Sequence, residues 1–392
     1  MTSDPAPVPP PALAGVRVID LTTTLSGPYC TLLLAELGAE VIKIETPGGD
    51  IVRYVGPART PGMGSIFLAL NRGKRSVVLD LKTPEGRSAL ERLIDTADVV
   101  VHNMRAPAAR RLGIDGDTVL ARNPRAVHCA INGYASDSPA ADSPAYDDII
   151  QGDSGMAALQ GRLAGEPGYV ASAVVDKTAG LVAYSAILAA LLDRERSGAG
   201  QSVEVPMLDV TVATTLVEHL AGATFDPPLG PALYTRTISR HRHPYRTADA
   251  WICVLVYTEQ HWERFLTYIG RAELLEDERY GDVASRIANV DDLYVLVAET
   301  LLTKTTEEWL GVFEQIDVPA ARLREPDDVI ADPDGLLTGM FFFEDHPTEG
   351  RVRTMAHPVR YGGRRPPPVR HAARLGADTD EVLGGLDPGS QH

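Results

Sequence analysis

Asp176 is the residue whose type and surroundings most directly raise a question of chemistry. It lies inside a run of small and apolar residues between Ala171 and Leu192, where an extended segment gives way to a long helix. An aspartate at the start of a helix can act as its N-cap, which stabilises the helix by about 1 kcal/mol. A helix N-terminus also favours the ionised carboxylate, and an ionised, partly desolvated carboxylate is a competent nucleophile. The position therefore predicts a cap, a nucleophile or both.

The residues before Asp176 alternate between strand and helix patterns. We expect strands over 16–22, 40–45, 75–81, 98–103 and 125–133. Helices lie between them, and Ser26 is the predicted N-cap of the first one. This alternation predicts an α/β fold with a Rossmann-like parallel sheet. Ligands of such sheets bind beyond the carboxyl ends of the strands, which selects the segments 22–28, 45–50, 103–111 and 133–151.

Changes in composition along the chain divide it into five segments. The beginning is rich in proline, and the stretch around 223–244 is Pro-rich and aperiodic, as a linker would be. We therefore expect a disordered leader over 1–14, a large α/β domain over 15–222, a linker over 223–244, a smaller α+β domain over 245–320 and a return segment over 321–392 that rejoins the large domain.

Overall charge and cysteine content limit the partners and the compartment. The net charge of −16 leaves no broad basic surface, so neither a nucleic acid nor a membrane is an expected partner. The three cysteines are far apart and form no CxxC, which favours a reducing cytoplasm and disfavours a cysteine-based zinc site. The N-terminus lacks the features of a signal peptide, and no apolar run reaches 18 residues. We expect a soluble cytoplasmic protein without a metal.

Three short motifs suggest other functions and fail on their context. The sequence GDSG at 152–155 belongs to an all-β protease fold when it carries a nucleophile, and this chain is not all-β. The sequence HRH at 241–243 lies in a linker, where such histidines are more often solvated than metal-bound. Glu45 stands where a dinucleotide-binding fold places its ribose carboxylate, but the preceding turn, TTTLSGP, has one glycine where GxGxxG has three.

Eight blocks along the chain resemble, in order, those of the family III CoA-transferases. They include LAGVRVIDLTTTLSGPYCTLLLAELGAEVIKIETPGGD, LNRGKRSVVLDLKTPEGR, VVVHNMRAPAARRLGI, SPAYDDIIQGDSGM and LGADTDEVL. The resemblance extends from Leu13 to Leu386. It implies a CoA-transferase that uses an acyl-CoA and a carboxylic acid as its substrates. It also implies a homodimer of two interlocked chains.

The resemblance assigns roles to individual residues. Asp176 matches the catalytic aspartate, which would carry the acyl group as a mixed anhydride and then CoA as a thioester. The residues that match the coenzyme A contacts are Thr24, Leu25, Ser26, Asn71, Lys74, Asn103 and Arg111. Lys74 and Arg111 would pair with phosphates, and Arg72 or Arg75 could replace Lys74.

Departures from the family pattern leave two alternatives. The formyl-CoA branch has a glutamine where this chain has Leu25, which disfavours formyl-CoA and oxalate. The 2-methylacyl-CoA racemases share the fold and use a histidine at the position of Asp147 as one base of a proton shuttle. A racemase or epimerase therefore remains an alternative, as does an acyl-CoA-binding protein without activity. Whether Asp147 or Asp148 takes part in catalysis stays open.

Overall fold

A computed structural model of the chain describes residues 11–386. The described part forms two compact units. The first comprises the residues up to Ser154, Val170–Thr214 and the residues from Leu337 onward, and the second comprises Gly155–Tyr169 and Thr215–Leu336.

Eleven strands and fifteen α-helices are present in the described range. The strands are β1 Arg17–Asp20, β2 Glu40–Glu45, β3 Lys74–Val78, β4 Val99–His102, β5 Val127–Asn132, β6 Gln201–Pro206, β7 Tyr245–Arg246, β8 Trp251–Val254, β9 Ala320–Arg322, β10 Phe341–His346 and β11 Gly350–Met355. The helices are α1 Ser26–Glu36, α2 Ser65–Leu70, α3 Pro84–Asp95, α4 Ala106–Leu112, α5 Gly116–Arg122, α6 Asp147–Asp153, α7 Met156–Ala164, α8 Val174–Ser197, α9 Met207–Thr215, α10 Glu259–Tyr268, α11 Val283–Ala288, α12 Val290–Leu301, α13 Thr306–Gln315, α14 Pro326–Ala331 and α15 Thr379–Gly384.

The first unit is built on a six-stranded parallel sheet in the order β3-β2-β1-β4-β5-β6. This is the strand order of the doubly wound Rossmann fold, in which successive strands are added on one side of β1 up to β3 and on its other side from β4 onward. The predicted α/β fold with a parallel sheet is confirmed.

Both faces of this sheet are buried, which explains why its strands are apolar at consecutive positions. Val18 faces the core that includes α1 and α8, whereas its neighbour Ile19 faces the core that includes α3, α4 and α5. The sheet therefore has helices on both sides, and its ligand-binding edge lies at the carboxyl ends of the strands.

Helix α8 is long, apolar and packed against the sheet along one side. Its buried residues recur every fourth position at Val175, Ala179, Ala183 and Ile187. Within the described range it is also the helix whose length and hydropathy would suffice to cross a membrane. A core helix passes the same test, and the buried side of α8 belongs to the main core of the first unit.

A single glycine allows α8 to touch α1 closely. A Cβ atom at Gly180 would lie 2.5 Å from the carbonyl oxygen of Ser26, the first residue of α1. Gly180 is one helical turn beyond Asp176, so the contact brings the start of α1 beside the side chain of Asp176.

The second unit combines a small antiparallel sheet with helices, in the order β7-β8-β9. Its core contains Phe265, Trp309 and Phe313, and the Phe313 ring stacks on the other two with centroid distances of 6.2 Å to Phe265 and 5.5 Å to Trp309. This arrangement corresponds to the α+β composition expected for the smaller domain.

The boundaries of the units differ from those expected from composition. Residues 155–169, which include α7, and residues 321–336 belong to the second unit. The segment 223–244 is also part of that unit, where the backbone N–H of Tyr234 donates a hydrogen bond to the His219 ring. Most of the predicted leader lies outside the described residues, but Leu13 is buried and its N–H donates to the carbonyl of Leu37. The first unit therefore begins before residue 15.

Candidate active site

Three of the four predicted strand-end segments, 22–28, 103–111 and 133–151, meet around a cavity of about 390 Å³ at the carboxyl edge of the sheet, whereas 45–50 does not line it. It lies where the strand order reverses, between the residues that follow β1 and those that follow β4 and β5. Its walls include Thr24, Ser26, Asn103, Arg105, Asn132, Tyr146, Asp176 and Met207. A cavity of this size and position is typical of a small-molecule site in a doubly wound fold.

Asp176 lies in the wall of this cavity with 8% of its surface exposed. It is not the N-cap of α8, because that position is held by Ala173, which has no capping side chain. Asp176 stands instead in the first turn, where the helix dipole favours a negative charge. The carboxylate is thus not required for capping and faces the cavity.

The pKa of Asp176 is raised from its ordinary value to about 6. Burial is the largest cause, and the nearby charge of Asp147 raises the pKa further. A hydrogen bond from the Ser26 hydroxyl and the charge of Lys177 act in the opposite direction on this pKa. At neutral pH the carboxylate is therefore ionised in most molecules, but it has less solvation than an exposed one.

Asp147 holds the backbone at the start of α8. One of its carboxylate oxygens accepts the N–H of Asp176 at 3.0 Å, and the other accepts the side-chain amide of Gln151 at 2.6 Å. The carbonyl oxygen of the Gln151 side chain accepts the N–H of Val170 at 2.8 Å. Asp147 is buried, whereas its neighbour Asp148 is exposed and does not line the cavity.

Ser26 is the first residue of α1, and Leu25 is the N-cap, without a capping side-chain bond. The predicted N-cap role of Ser26 is therefore wrong, because Leu25 holds that position and Ser26 already belongs to the first turn of α1. Within residues 11–386 the backbone N–H groups of Ser26 and Gly27 have no hydrogen-bond partner, as expected for the first turn of a helix.

The predicted coenzyme A contacts divide into two groups. Thr24, Ser26 and Asn103 line the cavity, whereas Leu25, Asn71, Lys74 and Arg111 do not. Arg111 is exposed near the end of α4. Arg105 lines the cavity from the start of the same helix and is exposed, and the sequence analysis did not select it.

Lys74 differs most from its expected role. Its ammonium is buried and donates to Asp20 at 3.2 Å, to the carbonyl of Pro28 and to Asn71. Burial lowers the pKa of Lys74 to about 8, against the opposing effect of Asp20. The expectation that Lys74 pairs with a phosphate does not fit this structure, because the ammonium already lies in an internal ion pair.

The two arginines that could replace Lys74 as phosphate ligands are also held in ion pairs with carboxylates. Arg72 pairs with Glu36 in a buried contact, and Arg75 pairs with Glu40 and Glu381. Glu45 is likewise not placed to bind the ribose of a dinucleotide. It is buried, and both of its carboxylate oxygens accept hydrogen bonds from Arg53. Across residues 11–386 no three His, Cys, Asp or Glu side chains are grouped as a metal site would require.

Comparison with known proteins gives consistent results over almost the whole chain. The sequence pattern of CoA-transferase family III matches residues 13–379. The chain is 35% identical over 326 residues to "Probable fatty acyl-CoA transferase Rv3272" of Mycobacterium tuberculosis, covering 80% of this chain and 82% of that protein. It is 33% identical over 402 residues to the succinate–glutarate CoA-transferase of Agrobacterium fabrum, with coverage of 97% and 98%. A crystal structure of a variant of Rv3272 matches the fold with a TM-score of 0.83 at 29% identity, covering 95% of this chain and 98% of that one.

Proposed function

This chain belongs to the family III CoA-transferases, and we propose that it transfers CoA from an acyl-CoA to a carboxylic acid through covalent intermediates on Asp176. The observation that carries this mechanism is the position of the Asp176 carboxylate, which is buried in the wall of the strand-end cavity and free of any capping role.

The reaction exchanges one thioester for another and needs neither ATP nor a redox partner. A carboxylate oxygen of Asp176 attacks the thioester carbonyl of the donor, the C–S bond breaks, and CoA thiolate leaves. The thiolate then attacks the aspartyl carbonyl of the mixed anhydride, which releases the donor acid and forms an aspartyl-CoA thioester. The acceptor carboxylate attacks this thioester, and the same steps in reverse give the new acyl-CoA and free Asp176.

Groups near Asp176 suit the charges that develop in these steps. The Ser26 hydroxyl binds the carboxylate in the resting state. The free N–H groups of Ser26 and Gly27 are oriented by the first turn of α1, and we expect them to stabilise the oxyanions formed on addition to each carbonyl. The partial desolvation that raises the pKa of Asp176 also leaves its ionised form more reactive.

We infer that Arg105, together with Arg111, binds the phosphates of CoA. Arg105 is an exposed cation in the cavity wall, and an arginine can form two parallel hydrogen bonds to a phosphate. Thr24, Leu25 and Ser26 would then lie near the thiol, and Asn71 and Lys74 would contribute indirectly as part of the buried support of β3.

The racemase alternative lacks a second base. No histidine lines the cavity among the described residues, and both oxygens of Asp147 already accept hydrogen bonds. If the protein is a transferase and not a racemase, no deuterium should enter the α-carbon of a 2-methylacyl-CoA in heavy water. An acyl-CoA-binding protein without activity predicts that Asp176→Ala changes nothing beyond affinity.

Isotope transfer tests the covalent route directly. An acceptor acid labelled with ¹⁸O leaves one labelled oxygen on Asp176, and the next turnover passes it to the released donor acid. Wild-type enzyme should give labelled donor acid, whereas Asp176→Ala should give neither turnover nor label. Turnover without label in the donor acid would exclude the anhydride. A mass-spectrometric screen that includes fatty acyl-CoAs and dicarboxylic acids, as the names of the relatives suggest, would identify the acids.

We also propose an interlocked homodimer in the cytoplasm. The outer side of α8 exposes Leu181 and Leu192, and apolar side chains at Val217 and Leu229 are more than 70% exposed, as they would be before a partner covers them. Cys30, Cys129 and Cys253 are free thiols, as a reducing compartment would keep them. Light scattering with dilution tests the dimer, because interlocked chains should not separate without unfolding.

A further inference from the structure

The loop between β1 and α1 is held in place by side chains from other parts of the first unit. At Thr22, the carbonyl accepts a hydrogen bond from the Lys43 ammonium at 2.8 Å, and the N–H donates to Asp20 at 2.9 Å. At Thr23, the Asn103 side chain accepts the N–H at 3.0 Å and donates to the carbonyl at 2.8 Å. Thr22–Thr24 thus have little freedom to move relative to β2 and β4.

Thr24 has a backbone conformation that needs such support. Its φ of +70° lies in the left-handed region, which a β-branched residue rarely adopts. The N–H of Thr24 donates to a carboxylate oxygen of Asp50 at 3.2 Å. A strained residue of this kind persists when surrounding contacts determine its conformation.

Lys43 and Asp50 form a buried ion pair with an N–O distance of 3.0 Å, and their side chains are 1% and 0% exposed. A buried ion pair often contributes little net stability, because both charges lose their hydration. Its two members contact both ends of the strained loop, Lys43 at Thr22 and Asp50 at Thr24. The pair thus fixes the span of chain that leads directly into Ser26.

We propose that Lys43, Asp50 and Asn103 are positioning residues that hold the loop 22–24 so that Ser26 and the first N–H groups of α1 meet Asp176. The inference rests on the proposed function, because it gives these groups a role in the reaction of Asp176. It also assigns Asn103 a role that does not depend on contact with CoA, since its amide oxygen accepts the N–H of Thr23 and its amide nitrogen donates to the carbonyl of Thr23.

Four variants test the proposal against a purely structural role. Asn103→Leu removes both hydrogen bonds to Thr23. Lys43→Met with Asp50→Asn removes both charges but keeps an oxygen for the N–H of Thr24, and Lys43→Met with Asp50→Leu removes that oxygen as well. Arg194→Met is the matched control, because it breaks an ion pair with Asp98 at the other end of α8.

We expect Asn103→Leu and the double variant with Asp50→Leu to lower kcat by about tenfold or more, with KM for the acyl-CoA changed less than about threefold, because misplacement acts on the chemical step. The double variant with Asp50→Asn should lose less of kcat than the one with Asp50→Leu, since it keeps the acceptor for the N–H of Thr24 and lacks only the Lys43 donor to the Thr22 carbonyl. Arg194→Met should lower the melting temperature without lowering kcat.

Unchanged kcat in Asn103→Leu would overturn the proposal, and so would an increase in KM alone, which would make Asn103 a CoA ligand. Asn103 is partly exposed, so its variant should fold even if a variant at the buried pair does not. Failure of the proposed function is separate, because it would show in Asp176→Ala with every positioning residue intact.

Discussion

The Asp147 carboxylate accepts a hydrogen bond from the backbone N–H of Asp176 at 3.0 Å, so one buried carboxylate orients the helix turn that carries another. The same proximity raises the pKa of Asp176, since two negative charges are less favourable than one. Asp147 thus affects both the position and the ionisation of the proposed nucleophile.

Asp147 both positions Asp176 and raises its pKa, and these two effects can be separated by moving the negative charge from residue 147 to residue 151. Asp147→Asn leaves one acceptor oxygen for two donors, and we expect kcat to fall by about tenfold because the start of α8 is less well held. In Asp147→Asn with Gln151→Glu, the asparagine can accept the N–H of Asp176 and donate to Glu, and Glu can accept the N–H of Val170. The double variant should therefore recover most of kcat in steady-state assays. A double variant no better than the single one would contradict the positioning role.

Activity should depend on pH through Asp176. Because the carboxylate must be ionised to attack, kcat/KM for the acyl-CoA should fall by about tenfold per unit below pH 6, where the pKa of Asp176 lies. Lys177→Met removes a charge that lowers this pKa, so the acid limb should move to higher pH. Asp147→Asn should move it to lower pH. A flat profile between pH 5 and 7 would exclude Asp176 as the titrating group.

Replacing the nucleophile by its neutral isostere should stabilise the protein. The pKa of Asp176 is higher in the folded protein than in the unfolded chain, so this residue costs stability progressively as pH rises from 3.8 to about 6. At pH 7 the cost is complete, and Asp176→Asn should raise the free energy of unfolding by about 1–3 kcal/mol. Denaturant titration checks this, with the exposed Asp148→Asn as a control near zero. A less stable Asp176→Asn variant would contradict the expected cost.

The close contact of α8 with α1 predicts an unusual sensitivity at Gly180. In Gly180→Ala the new methyl group would meet the Ser26 carbonyl, so the helices must separate and Ser26 must move from Asp176. We expect a loss of about 1–3 kcal/mol in stability, measured by denaturant titration, together with a lower kcat. Gly311→Ala in α13 is the matched control, since nothing lies within 4 Å of its Cβ position and alanine favours a helix by about 1 kcal/mol.

The sequence was informative where local pattern and packing agree. Consecutive apolar residues predicted the buried parallel strands, and an acidic residue within an apolar run marked Asp176. The role of Lys74 could not be predicted, because its partner Asp20 is 54 residues away and an isolated lysine suggests a surface. A glycine inside a predicted helix, such as Gly180 four residues after Asp176, indicates only weakly that another backbone approaches closely. It does not reveal which backbone that is. The hydrogen bond that the N–H of Asp176 donates to Asp147 and the one that Ser26 donates to the Asp176 carboxylate depend on tertiary structure alone.

The order of synthesis has a consequence for the outer edge of the sheet. The N–H and carbonyl of Ser76 in β3 bind Asp378, which follows 302 residues later, and the N–H of Val78 binds Thr379. At ribosomal rates of about 5–20 residues per second, about 15–60 s pass between the synthesis of β3 and that of residues 378 and 379, which bind its edge. An open strand edge can pair with another chain, so a nascent molecule carries a transient risk of aggregation that the finished protein lacks. Chaperones that bind extended segments should therefore associate with β3 during translation and leave once residues 378 and 379 have emerged.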